Sequence, residues 1–94
     1  MKVLVPGTEY ALESSSGEEL IIRFITKHEG TIIHGFTNEE FLEMMSDRLR
    51  FLNNKSYNPR TSSALNKIEG ALNDLRARRM YKMQAKKKFV ELNK

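Results

Sequence analysis

The sequence predicts an α+β chain: an N-terminal antiparallel β-sheet followed by a two-helix antiparallel hairpin, associating into an oligomer. Three observations carry this. Residues 1–36 hold short apolar runs, one of clear period two, separated by turn residues. Thr37-Asn38-Glu39-Glu40 has the S/T-x-x-E pattern of a helix start. Beyond Pro59 apolar residues recur at three-four spacing, and no Pro or Gly after Gly70 interrupts them. The 94 residues are read as a single domain. A chain this short buries a modest share of its surface, so self-association, as a dimer or an assembly of dimers, is expected.

Residues 1–36 form the strand region. Val3 to Val5 is a short apolar run closed by Pro6-Gly7, and Thr8 to Glu13 runs into the Ser14-Ser15-Ser16-Gly17 turn. Leu20, Ile22 and Phe24 alternate with Ile21, Arg23 and Ile25 in a β-branched stretch suited to a strand. His28-Glu29-Gly30 is a turn, with Thr31 to Phe36 as the partner strand.

Helix one is expected over residues 37–54. The Thr37 hydroxyl suits the cap, and Glu40 can reach back to its N–H. Leu42, Met45, Leu49 and Leu52 make one stripe, and Phe41, Met44, Arg48 and Phe51 a second beside it. Pro59 places Asn58 outside a helix and leaves Tyr57-Asn58-Pro59 as a loop. Helix two is expected over residues 60–90, capped by Thr61 or Ser62, with Leu65, Ile68, Leu72 and Leu75 as its seam.

Composition removes several kinds of chemistry. With no cysteine there is no disulfide, thiolate metal site or cysteine nucleophile. His28 and His34 have no metal-ligand spacing, and no G-x-x-x-x-G-K phosphate loop occurs. Ser14 to Ser16 lack a base nearby in sequence, and Glu39, Glu40 and Glu43 sit where carboxylates favour a helix dipole. An enzyme is not expected, nor a cofactor. No run approaches the roughly 18 apolar residues of a membrane span, and the expectation is a cytoplasmic protein without a membrane partner.

Charge points to the second half. Residues 1–59 hold six Lys/Arg and nine Asp/Glu, a net of −3; residues 60–94 hold ten and three, a net of +7. An anionic partner suits such asymmetry, as does a solvated helix face. Arg78 and Lys82, four residues apart, share one helix face with Ala71 and Leu75. Arg76 and Arg79 deepen the local repulsion, which distant carboxylates or a bound anion would relieve. Arginine is suited to bidentate phosphate contacts. Phe51 offers a planar surface for a base, and its spacing also suits the core of the hairpin. Arg48, three residues earlier, can serve the same site or pair with Asp47 or Glu43.

Two segments carry a resemblance. The first is Thr37-Asn38-Glu39-Glu40-Phe41-Leu42, continued by Asp47-Arg48-Leu49-Arg50-Phe51-Leu52. The second is Ser62-Ser63-Ala64-Leu65-Asn66-Lys67-Ile68-Glu69-Gly70-Ala71-Leu72, then Leu75 and Arg78. Together, over roughly residues 30–82, they resemble the Thoeris anti-defence sponges of phages, which are related to anti-CBASS sponges. The resemblance implies a protein of the infected bacterial cytoplasm. It would sequester a cyclic ADP-ribose signal made by TIR enzymes, chiefly glycocyclic ADP-ribose, or cyclic di- or trinucleotides, without cleaving it. It implies a pocket between subunits, with an aromatic ring on the base and arginines on the phosphates. Carried over by position, the ring is Phe51 and the cations are Arg78 and Lys82, with Thr61 in the loop before helix two. Arg60 stands where it can replace the family's loop arginine. Lys82 keeps the charge without the planar fork of an arginine, and Thr61 stands where an amide is frequent.

The alternative is a small basic nucleic-acid-binding phage protein, supported by the pI near 9.5 and the Lys86-Lys87-Lys88 run. The acidic first half and the scarcity of aromatics on the basic helix count against it.

Overall fold

The computed structural model describes residues 1–92, with side chains as far as Gln84. It is α+β and falls into two compact units, residues 1–38 and residues 39–94.

The first unit holds two small antiparallel sheets. Strands β1 (Lys2–Val5), β2 (Glu9–Glu13) and β3 (Glu19–Arg23) form a three-stranded meander. β4 (Thr26–His28) and β5 (Thr31–Ile33) form a separate two-stranded sheet. The turns are those the residues dictate. Thr8 N donates to Val5 O (3.0 Å) across Pro6-Gly7, and Gly17 N donates to Ser14 O (3.0 Å). In the β4–β5 turn Glu29 (φ 49°) and Gly30 (φ 79°) are both left-handed, the backbone a two-residue hairpin turn requires. Glycine carries this at no steric cost, whereas Glu29 bears the cost of a side chain there.

The register places Val3, Tyr10 and Ile22 on one face of the meander and Lys2, Ala11 and Ile21 on the other. Tyr10 meets Phe24 edge-to-face with centroids 5.8 Å apart, and the Arg23 guanidinium reaches Glu9 at 2.5 Å across the strands. The single long strand expected over Leu20 to Ile25 is broken after Arg23, a correction with a visible cause. Phe24 N still donates to Thr8 O (2.8 Å) in the register of β2, while on the other edge Ile25 N donates to Phe36 O (2.9 Å) and Phe36 N to Arg23 O (2.8 Å). Beyond Phe24 the chain therefore leaves β2 and pairs with the segment around Phe36. The crossing is so close at Gly35 that a Cβ there would lie 2.5 Å from Arg23 O. The expected partner strand Thr31–Phe36 is accordingly shortened to β5.

The second unit is the helical hairpin. Helix α1 spans Asn38–Lys55 and α2 spans Pro59–Leu92. Thr37 thus lies just before α1. Where α2 starts differs from the sequence reading. Pro59 opens the helix instead of preceding it, a position where its missing N–H costs nothing. The cap is Asn58, not Thr61 or Ser62: its Oδ1 accepts Arg60 N (2.9 Å) and Thr61 N (3.4 Å). Arg60 and Thr61 therefore lie in the first turn of α2, not in a loop.

The helices run antiparallel, as four side-chain contacts in reverse order show. Arg50 and Ser46 meet Glu69, Glu43 meets Arg76 (3.7 Å), and Glu39 meets Arg79 (3.8 Å). On α1 the buried or half-buried positions are Glu39, Phe41, Leu42, Ser46, Leu49 and Asn53; on α2 they include Leu65, Ile68, Leu72 and Leu75. The α2 seam is as expected. On α1 the seam is rotated from the expected stripe, because Ser46 is the buried position while Met45 and Leu52 are 40% and 37% exposed. A serine is admitted there because its hydroxyl donates to Glu69 Oε1 (3.3 Å) and accepts from Arg50 (3.4 Å). Apolar burial is sparse across the described residues: only Ala11, Ile22 and Leu72 are buried hydrophobics.

Candidate functional site

The seam divides the hairpin surface into two broad faces. On one side lies a shallow groove of about 750 Å³ between the helices. Its lining includes Glu40, Glu43 and Asp47 from α1 and Glu69 from α2, against Arg50 and Arg76. Four carboxylates and two guanidiniums give a formal sum of −2. Both guanidiniums are engaged, Arg50 with Glu69 and Arg76 with Glu43. Neither guanidinium of this groove is without a carboxylate partner, so it is a poor anion site.

The other side carries the candidate residues. On α1, Phe41, Met45, Arg48 and Leu52 follow four-three-four spacing beside the seam, and Phe51, three residues past Arg48, lies on the outward side of the helix between this stripe and Met44, which lines the groove. On α2, Arg60, Ala64, Lys67, Ala71, Leu75, Arg78 and Lys82 follow one another at spacings of three or four, so they share a stripe. Arg48, Arg60, Arg78 and Lys82 are exposed and form no ion pair with any described residue. The neighbouring arginines Arg76 and Arg79 are each tied to a glutamate of α1. Side of the helix thus separates paired from unpaired cations.

Phe51 is 58% exposed, so it is not a core residue of the hairpin. Thr61 is half-buried against the seam in the first turn of α2. Its backbone N–H and that of Arg60 are taken by Asn58, so this helix terminus does not offer those two donors to an anion.

The hairpin does not bring all six residues to one point. Arg48, Phe51, Arg60 and Thr61 belong to the turn end. Arg78 and Lys82 belong to the far end, next to the start of α1. Arg60 and Arg78 are 18 positions apart, about 27 Å along a helix. Phe51 lies 12 positions beyond Glu39, the partner of Arg79, which sets it about 18 Å from the Arg78 level. One chain therefore carries two separate half-sites.

Among the described residues no group of three or more His, Asp or Glu side chains is placed to hold a metal. Nor is any described helix long and apolar enough to cross a membrane. No protein-family model matches the chain, and no curated protein matches it.

Proposed function

We propose that this chain is a non-catalytic sponge. In this reading it captures a cyclic nucleotide signal of the cyclic ADP-ribose type, glycocyclic ADP-ribose first, or a cyclic di- or trinucleotide. By lowering the free signal it would inhibit Thoeris-type immunity in the bacterial cytoplasm. The observation that carries the reading is the set of unpaired cations on one face of the hairpin, beside an exposed aromatic ring. Arg78 and Lys82, one turn apart and without carboxylate partners, repel each other, and a phosphate relieves that repulsion. Phe51 supplies a stacking surface for a base, and Arg48 and Arg60 flank it. Arg78 and Lys82 supply the second phosphate contact. A compact ligand cannot bridge about 18 Å, so the complete pocket joins the turn end of one copy to the far end of another. Burying the ligand between copies slows its release.

Calorimetry against a panel of cyclic ADP-ribose isomers, cyclic dinucleotides and cyclic trinucleotides tests the reading. One member of the panel should bind tightly and be recovered intact after the protein is heated. Recovery of a hydrolysed product would refute capture without cleavage.

A second reading draws on the length of the same stripe. Cations at Arg60, Lys67, Arg78 and Lys82 over about 33 Å suit the backbone of a nucleic acid as well. Salt separates the two: a backbone binder loses affinity steeply between 50 and 200 mM salt, roughly 10³-fold or more for six or more phosphate contacts. A buried small-ligand pocket loses far less.

A further inference from the structure

Every methionine of the chain is exposed: Met1, Met44, Met45, Met80 and Met83. Methionine is ordinarily among the most buried residue types. No cysteine is present, so these thioethers are the chain's only sulfur. Four of them lie on the helices, and each stands three or four positions from an arginine. Those are the spacings at which helix side chains are neighbours. Met80 follows Arg76 by four, and Met83 follows Arg79 by four. Both of these arginines already have a glutamate partner, Glu43 and Glu39. Met44 and Met45 stand differently, because they precede their arginine, Arg48, by four and three positions. A long side chain on a helix leans over the turn before its own Cα. Arg48 therefore leans toward both methionines, whereas Arg76 and Arg79 lean away from theirs. Arg48 also has no ion-pair partner among the described residues.

We infer that Met44 and Met45 are a reversible oxidation site that controls Arg48: as sulfoxides they hydrogen-bond its guanidinium and withdraw it from a ligand. The oxidant is hydrogen peroxide. A lone pair of the methionine sulfur attacks one peroxide oxygen, the O–O bond breaks, an S–O bond forms and water leaves. Sulfur gives up two electrons and the peroxide takes them. Susceptibility follows exposure, and Met44 and Met45 are 57% and 40% exposed. The change in acceptor strength is what makes the pair a switch. A thioether is a weak acceptor and leaves Arg48 unheld, while a sulfoxide is polar and its oxygen accepts from the guanidinium. Neither side chain is buried with Ser46 and Leu72, so the added oxygen spares the packing between the helices. Methionine sulfoxide reductases restore the thioether. The oxidation and the Arg48 contact stand by themselves; their consequence for ligand capture rests on the sponge reading.

The full chain is treated with hydrogen peroxide and followed by peptide mass mapping, circular dichroism and the guanidinium signals of a ¹⁵N spectrum. Met44 and Met45 should each gain one oxygen with the helical signal unchanged. The Arg48 Nε–H signal should move downfield and its exchange with water should slow. Reductase treatment should return it. Met44→Leu/Met45→Leu keeps the apolar volume and removes the sulfur, so peroxide should then leave Arg48 unmoved. Met80→Leu/Met83→Leu should respond as wild type does. Calorimetry with glycocyclic ADP-ribose should show affinity lower by about fivefold after oxidation, and no change in the Met44→Leu/Met45→Leu chain. Resistance of Met44 and Met45 to oxidation in the folded chain overturns the inference. So does an Arg48 signal that stays in place, or one that moves equally in Met44→Leu/Met45→Leu. Equal affinity before and after oxidation overturns the control of capture. If the reduced chain binds no member of the cyclic nucleotide panel, the sponge reading falls, and the Arg48 signal still decides whether the pair acts on this arginine.

Discussion

The two faces of the hairpin use the same residue types to opposite ends. On the groove face Arg50 and Arg76 each have a carboxylate partner on the other helix. On the opposite face Arg48, Arg60, Arg78 and Lys82 have no such partner among the described residues. Arg76 and Arg78 are two residues apart in sequence and nearly opposite on the helix. Local charge density is therefore a poor guide to what an arginine does, and the side of the helix it occupies is a better one. A paired arginine holds two helices in register. An unpaired one, such as Arg78 beyond Ala71 and Leu75, is available to a ligand.

Between the faces lies the seam, and damage there removes both. Among the described residues Leu72 is the one buried hydrophobic of the helical unit, at 5% exposure. Leu72→Ala should cost about 2–5 kcal/mol in urea unfolding. In a chain with so little buried apolar area this is expected to lower the melting temperature strongly and to abolish ligand binding with it. A cost below about 1 kcal/mol would mean that the two faces are not held apart by this seam.

The next effect should fall on one face alone. Arg78→Ala is expected to weaken binding of the panel ligand about a hundredfold, since truncating a desolvated charged contact typically costs 2–5 kcal/mol. Phe51→Ala should act similarly. Arg76→Ala should change affinity by less than about threefold, because Arg76 spends its charge on Glu43 across the other face. Unfolding curves should be nearly unchanged for Phe51→Ala and Arg78→Ala. Calorimetry that ranks Arg76→Ala with Arg78→Ala would erase the distinction between the faces.

Much of this architecture was legible in the sequence. Strands, helices and their order followed from period and turn residues, and Leu65, Ile68, Leu72 and Leu75 fall on the seam as spaced. The misses have physical causes. Ser46 was passed over because a serine carries no apolar signal; its burial depends on Glu69 and Arg50, partners that periodicity does not reveal. The break after Arg23 goes with the backbone bonds of Phe36 to Arg23 and Ile25, which are nonlocal. The site residues were legible as types but not as a constellation. Spacing puts Arg78 beside Lys82, yet only the pairing of Glu39 with Arg79 shows how far both lie from Phe51. The acidic groove left no mark at all, because its carboxylates come from two helices.

A smaller effect should come from the turn that sets the helices in register. Asn58 accepts two first-turn N–H groups of α2, and its own N–H donates to Asn53 Oδ1 (3.0 Å). Asn58→Ala should cost about 1 kcal/mol, within a range of about 0.5–2. It frees the N–H groups of Arg60 and Thr61 without removing a cation. Affinity at the cationic face should therefore hold within a few fold in calorimetry while stability falls. A larger loss of affinity than of stability would assign the turn, rather than the stripe, to the ligand.

The smallest effect should be on the groove face itself. Glu43 is 67% exposed and lies 3.7 Å from Arg76. An exposed pair of this kind is worth about 0–1 kcal/mol, and salt screens it further. Glu43→Gln should shift urea unfolding by no more than about 0.5 kcal/mol at low salt, and by less as salt is raised. It also leaves Arg76 without its partner. If the faces are distinct, this added unpaired arginine should not tighten ligand binding, because it lines the groove, on the side of α2 opposite Arg78. A several-fold gain in affinity on Glu43→Gln would show that the paired arginines were only held in reserve, and that the ligand reads total charge rather than one face.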